Sequence, residues 1–176
     1  MTSASSFSGA AKVAGVAGWP VKHSLSPALH NAWIATAGLD AVYVPFAIQP
    51  ENAHDAFRAF AKLGIAGLNV TVPHKHAALT AADRITERAA RIGAANLLTI
   101  DGSGALVADN TDAGGFLDGL ARAGANADGP TTILGAGGAA RAVLVALIEQ
   151  GGKEIRFVNR SRDRAEELAD FARSLG

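Results

Sequence analysis

Lys75 follows a half-apolar run, Asn69-Val70-Thr71-Val72, and a proline. The run is β-branched and reads as a strand, so the cation stands just past a strand end. Polar residues recur at the ends of other apolar runs. Ser24 and Ser26 follow the first; Asn69, Thr71 and Lys75 accompany the third; Asn96 opens "ANLLTI"; Asn110, Thr111 and Asp112 follow "ALVAD". Ligands of open α/β sheets bind outside the carboxyl ends of strands. Hydroxyls, amides, one cation and one carboxylate suit a polyhydroxylated acid. Each residue also has a plainer explanation. Ser26 serves as an N-cap, Thr71 as a strand residue, Asn110 to Asp112 as a self-capped helix start, and Lys75 as a solvated lysine. His74 and His76 form a His-x-His pair with no ordered third ligand, so no metal site is assigned.

A second cluster is "ILGAGGAARA", which sets Gly135, Gly137 and Ala140 in a G-x-G-x-x-A pattern between an apolar strand and an apolar helix. Gly135 allows the tight turn, Gly137 lets backbone approach a pyrophosphate, and Ala140 permits close helix–strand packing. The helix N-terminus supplies N–H groups and a favourable dipole. An NAD-binding fold carries an acid about 20 residues on, for the ribose 2′-hydroxyl. Here the next strand ends in Asn159-Arg160-Ser161, followed by Arg162, Asp163 and Arg164. Guanidinium groups match phosphate oxygens in geometry and charge, which favours a 2′-phosphate and hence NADP(H). A basic helix start without an anion would oppose the helix dipole.

These residues need elements to position them. The pattern predicts strands at "KVAGVAGWP", "AVYVPFAI", "GLNVTV", "ANLLTI" and "GALVADN", and helices at "SPALHNAWIATAGL", "ENAHDAFRAFAKLG", "AADRITERAARIG" and "TDAGGFLDGLARAG". Glycines 64 and 93 close two of the helices. "ANADGP" marks a boundary, after which the chain reads strand, glycine turn, helix, strand, loop, helix. The alternation predicts parallel α/β architecture in both parts. The organisation expected is a disordered tail over 1–11, a substrate-binding α/β domain over 12–123, a linker over 124–130, and over 131–176 the first part of a Rossmann-type NADP-binding domain.

The chain has 176 residues, 49% hydrophobic, with zero formal net charge and no cysteine. That composition is globular. Neutral charge gives no footprint for nucleic acid or anionic membrane. Without cysteine there are no disulfides and no thiolate chemistry. Apolar runs fall short of a membrane span, and the small hydroxylic start lacks a secretory h-region. A cytoplasmic protein is expected.

"GWPVKHSLSPALHN", "GLNVTVPHK", "GAANLL" and "DNTDAGGF" resemble, in order, the substrate-domain motifs of the shikimate dehydrogenases; "GAGGAARA" with "VNRSRDRAEEL" resembles that family's NADP-binding half. The resemblance implies reversible NADPH-dependent reduction of 3-dehydroshikimate to shikimate, in chorismate and aromatic amino acid biosynthesis. It implies Ser24 and Ser26 on the substrate carboxylate, Thr71, Asn96 and Asp112 on ring hydroxyls, and Lys75 as catalytic lysine paired with Asp112. It places Gly135, Ala136, Gly137, Gly138 and Ala139 on the pyrophosphate and Asn159, Arg160, Ser161, Arg162, Asp163 and Arg164 on the 2′-phosphate. Glu87 aligns with a position sometimes given a cofactor contact. The resembling family continues beyond "FARSLG", so a truncated form with weak or no catalysis is expected, as a monomer or homodimer. The other readings are a shikimate/quinate dehydrogenase and a non-catalytic fragment binding shikimate or nucleotide.

Overall fold

The computed structural model describes residues 7–175. The chain forms two compact units: one runs to Thr86 and resumes over Ala95–Asp109, the other takes Glu87–Ala94 and continues from Asn110. The first unit holds β1 (Lys12–Gly18), α1 (Ser26–Thr36), β2 (Ala41–Ala47), a 3-10 turn (Pro50–Asn52), α2 (Ala53–Lys62), β3 (Gly67–Val70), α3 (Lys75–Ala81), β4 (Arg84–Ile85), β5 (Leu97–Ile100) and β6 (Leu106–Asp109). Its sheet has the order β2-β1-β3-β5-β6-β4. On one face Ala17, Leu68, Val70 and Leu98 meet Phe57 of α2 and Ala78 and Ala81 of α3. Fully burying a side chain such as Phe57 contributes about 1.5–3 kcal/mol. Val16, Val21 and Tyr43 form a separate cluster, against which Ile34 of α1 packs.

β1 pairs in parallel with both β2 and β3, as expected. The parallel expectation fails at β5, which is antiparallel to β3 and to β6, while β4 pairs in parallel with β6. The cause is the "DGSG" turn. A connection that short can only form a hairpin, and the Asp101 carboxylate holds it by accepting N–H groups of Ser103 at 2.8 Å and Ala105 at 3.1 Å. A single helix over 81–93 is also not found. The N–H groups of Asp83 and Thr86 donate to carbonyls of Leu106 and Ala108 at 2.8 and 3.0 Å. That long-range pairing makes β4 out of Arg84–Ile85. α3 is an element the pattern did not predict. Glycines 64 and 93 do end their helices, at φ of 72° and 70°.

The second unit holds α4 (Glu87–Ile92), α5 (Asp112–Arg122), β7 (Thr131–Leu134), α6 (Gly138–Glu149), β8 (Ile155–Val158) and α7 (Arg162–Ser174). β7 and β8 pair in parallel with Ile133 opposite Phe157. α6 is buried between the sheet side and the helices: Leu144 and Leu147 join Ile133 and Leu168, while Ala142 and Val145 join Ile92 and Ala113. α5 thus packs with α6, and the segment 124–130 lies inside this unit. Arg141 ties the helices together. Its Nε donates to the Ile92 carbonyl at 2.9 Å, and its guanidinium carbon stands 3.7 Å from the Phe171 ring centroid.

The tail expected over 1–11 is ordered in its described part. The Ser8 N–H donates to Asp40 Oδ1 at 3.1 Å and its hydroxyl donates to the same carboxylate. These bonds hold the Asp40 carboxyl below its ordinary range. Residues 1–6 lie outside the described residues.

Tyr43 is 5% exposed. Asn31 clamps its backbone, accepting the Tyr43 N–H at 2.9 Å and donating to the Tyr43 carbonyl at 2.8 Å. The phenol donates to Asn69 Oδ1 at 2.6 Å, and the His30 ring stacks on it at 4.1 Å. Burial pushes the phenol up to about 12. The unfolded chain releases this proton near pH 10, so between pH 10 and about 12 the folded state holds more protons and stability falls as pH rises. Tyr43→Phe is expected to cost about 1 kcal/mol at neutral pH by losing the Asn69 bond, and to flatten the loss in that alkaline window. Urea unfolding across a pH series measures both; an unchanged alkaline slope in the variant would assign the loss to other groups.

Candidate functional site

Five expected site residues meet at one edge of the first unit's sheet. β1 and β3 run parallel, so their carboxyl ends share that edge. β5 is antiparallel, so its amino end joins them, with Leu97 opposite Asn69. Ser24 and Ser26 lie on the chain leaving β1. Thr71 and Lys75 leave β3, and Asn96 enters β5. Backbone bonds fix each of these segments. The Thr71 N–H donates to Ala17 at 2.9 Å, the Val70 N–H to Asn96 at 2.7 Å, the Asn96 N–H to Asp109 at 3.0 Å, and the Ala95 N–H to Lys75 at 2.8 Å.

Ser26 is not the N-cap. The Leu25 carbonyl accepts the Leu29 N–H at 3.1 Å, so the helix is capped one residue earlier and Ser26 is its first residue, beside Pro27. Ser24 Oγ instead accepts the Ser26 N–H at 3.3 Å. The two serines are thereby set side by side, and the Ser24 O–H remains a donor for an anionic oxygen.

The strand carrying Lys75 ends at Val70, before the proline. A turn closed by the His74 N–H on the Thr71 carbonyl, at 2.9 Å, leads into α3. Lys75 is the first residue of that helix, partly buried, with His74 at the cap. The His74 side chain is 2% exposed, and its Nε2 lies 2.8 Å from the Ile48 carbonyl. His74 therefore anchors the start of α3 to the chain leaving β2, while His76 is exposed. The two histidines do not share a site. Sequence reading gave His74 no such part; its only signal was a histidine directly before the lysine.

Asp112 belongs to the second unit, as the first residue of α5, where the helix dipole favours a carboxylate. Asn110, fully buried, accepts the Asp112 N–H on Oδ1 at 2.9 Å.

The glycine turn forms as expected. Gly135 has φ of +110°, and its N–H donates to Val158 at 2.8 Å. Gly137 caps α6 in extended backbone. A Cβ on Gly137 would meet no atom within 4 Å, so neither backbone strain nor crowding requires glycine there. Close approach of a ligand to the backbone would require it. Ala136, Gly138 and Ala139 complete the turn, and Ala140 is buried against the Ile133 and Leu144 cluster. These residues fit a pyrophosphate.

Beyond β8, Asn159 Nδ2 donates to the Ser161 carbonyl at 2.8 Å. Ser161 caps α7, accepting the Arg164 N–H at 3.5 Å. Arg162 pairs with Glu166 at 2.7 Å, and Asp163 sits in the first turn. Arg160 and Arg164 have no ion-pair partner among the described residues and are exposed. Glu87 is not brought to this region. It opens α4 and lines a groove of about 590 Å³ with Val145 and Glu149. At about 1.5 Å per residue that is roughly 10 Å or more along α6 from the glycine turn. Among the described residues no helix is long and apolar enough to cross a membrane, and no group of three or more His, Cys, Asp or Glu side chains could hold a metal.

Residues 16–98 match the family model described as the shikimate dehydrogenase substrate binding domain. The chain is 51% identical over 170 residues to the shikimate dehydrogenase (NADP(+)) of Rhodospirillum rubrum, covering 93% of this chain and 59% of that protein. It resembles the crystal structure of shikimate dehydrogenase from Aquifex aeolicus at a TM-score of 0.86 and 40% identity, over 94% of this chain and 62% of that one. It also resembles shikimate 5-dehydrogenase from Thermus thermophilus in complex with NADP(H) and shikimate, with a TM-score of 0.80 and 39% identity, over 92% and 60% of the two chains. The chain thus spans about three fifths of the length of these relatives.

The approach of β1 to the Thr71 turn depends on Gly18. A Cβ there would lie 2.5 Å from Thr71 Cγ2 and 3.2 Å from the Val72 carbonyl oxygen. Gly18→Ala is expected to displace Thr71 and to cost about 1–3 kcal/mol as overpacking. Urea unfolding and the Thr71 methyl resonance measure the two effects; a variant with wild-type stability and an unmoved resonance would show that the turn yields without strain.

Proposed function

We propose that this chain, whose residues 16–98 match the shikimate dehydrogenase substrate binding domain, belongs to the shikimate dehydrogenase family and takes part in the reversible NADPH-dependent reduction of 3-dehydroshikimate to shikimate. The observation that carries this reading is the meeting of Ser24, Ser26, Thr71, Lys75 and Asn96 at one sheet edge. Hydroxyls, an amide and one cation gathered there match a small acid with several ring oxygens.

Ser24 and Ser26 hold the substrate carboxylate. Thr71, Asn96 and Asp112 take the ring hydroxyls. Gly135 to Ala139 hold the cofactor pyrophosphate, with Arg160 and Arg164 on the 2′-phosphate. NADPH, when bound, supplies the hydride to the ketone carbon. As negative charge develops on the ketone oxygen, the Lys75 ammonium stabilises it and donates the proton. In the oxidising direction the neutral amine accepts that proton. Asp112 serves the same proton transfer as Lys75, the role the family resemblance implies for it. Arg162, engaged by Glu166, contributes less to the 2′-phosphate than its neighbours.

The reading is tested by adding shikimate and NADP⁺ and following reduced nicotinamide, with shikimate binding followed by calorimetry. Neither turnover nor binding would reject it; binding without turnover would favour a non-catalytic binding protein. Lys75→Ala is expected to lower turnover about 10²–10⁴-fold, the usual worth of a general acid–base, with NADP(H) affinity little changed. Unaltered turnover in a folded variant would remove Lys75 from the chemistry. Arg160→Ala is expected to weaken NADP(H) about tenfold or more, the worth of a charge-assisted bond, and NAD(H) hardly at all. Equal losses for both cofactors would sink the 2′-phosphate assignment.

A further inference from the structure

We infer that Asn110 is the positioning residue for Asp112. Its side chain is fully buried, one of two buried polar residues among those described. Both ends of the amide are engaged: Nδ2 donates to the Ala94 carbonyl at 2.8 Å, and Oδ1 accepts the Asp112 N–H at 2.9 Å. A side-chain oxygen bonded to the N–H two residues on is an Asx-turn, and it sets the direction in which the following backbone leaves. Thr111 occupies the cap position of α5 without a side-chain capping bond. The start of α5 is therefore held by the residue before the cap.

Asp112 is the first helical residue, and the bond to its N–H fixes the backbone from which its side chain departs. The Ala94 contact prevents the amide from turning, because exchanging its N and O ends would set a carbonyl against a carbonyl. Without the Asx-turn the backbone beneath the carboxylate has more directions open to it, and ordering it when substrate binds costs affinity. The inference rests on the reading of Asp112 as a substrate residue; Asn110 acts through it.

The test titrates shikimate by calorimetry into the 176-residue chain as wild type, Asp112→Asn, Asn110→Ala, Asn110→Ser and the Asn110→Ala/Asp112→Asn double variant, with folding checked by thermal unfolding. A serine hydroxyl can accept the same N–H, more weakly. Asn110→Ser should therefore bind within about threefold of wild type, while Asn110→Ala should lose about tenfold. The double variant should lose no more than Asp112→Asn alone, because both changes act through one carboxylate. Independently of ligand, the Asp112 amide should exchange its proton about tenfold faster or more in Asn110→Ala and stay protected in Asn110→Ser.

If Asp112→Asn weakens shikimate while Asn110→Ala does not, the inference fails and the substrate reading stands. The same holds if the losses multiply in the double variant, or if the Asp112 amide stays protected in Asn110→Ala. If Asp112→Asn binds as wild type, or wild type does not bind, the substrate reading fails and takes the inference with it. Should Asn110→Ala not fold, Asn110→Ser replaces it in the cycle, and any loss it shows must vanish in the Asp112→Asn background.

Discussion

The Thr71 N–H reaches the Ala17 carbonyl at 2.9 Å, one step past the β1–β3 ladder. That bond extends the parallel pairing into the turn carrying Thr71 and Lys75, and much of the first unit's edge depends on it. Parallel pairing puts the two carboxyl ends together, and antiparallel β5 then brings Asn96 to the same place. A slip of one residue would reverse the faces of β3. Val70 would leave the core and Asn69 would lose the Tyr43 phenol. The register is protected by close packing around β1. A Cβ on Gly15 would lie 2.1 Å from the Val44 carbonyl oxygen, so β2 passes that position only because glycine stands there.

The buried polar residues show how the fold holds the polar residues near them. His74 directly precedes Lys75, and Asn110 lies two before Asp112. Both are buried and hydrogen-bonded to backbone carbonyls, of Ile48 and Ala94. Among the described residues no buried side-chain nitrogen or oxygen lacks a partner. Unsatisfied, each would cost about 1–3 kcal/mol; satisfied, each holds a segment of backbone in one place. The polar side chain near it then starts from an ordered backbone, which would lower the ordering that ligand binding must supply.

Much of this was legible in the sequence for local reasons. Ser24, Thr71 and Asp112 stand where apolar runs stop and Asn96 where one starts, and strand ends are where an open sheet presents ligand groups. The glycine turn was legible because its spacing has a backbone cause. What was missed depends on partners distant in the chain. α3 is a seven-residue helix following a proline turn, too short to show a period. β4 is two residues that become a strand only because β6 lies beside them. The antiparallel direction of β5 and β6 was present in "DGSG", but the alternation of strands and helices outweighed it. Ser26 looked like a cap because serine before proline commonly is one, and the helix is capped by Leu25 instead. Asn110 was visible as part of a helix start, yet nothing local showed that its amide would be buried against Ala94.

The start of α7 shows the same division between what the chain satisfies itself and what it leaves open. Its first three residues are Arg162, Asp163 and Arg164, with Arg160 just before the cap. Cations at a helix N-terminus oppose the dipole, by about 0.3–1 kcal/mol each at exposed positions. Glu166 answers Arg162 one turn later, and Asp163 offsets part of the rest. Arg160 and Arg164 have no such answer among the described residues. They stand where β8 ends, and β8 ends beside Gly135, whose N–H bonds to Val158. Two guanidinium groups without an ion-pair partner among the described residues therefore lie past the end of β8, close in the ladder to the glycine turn that follows β7. Each opposes the dipole of α7, a cost that an anion bound there would offset.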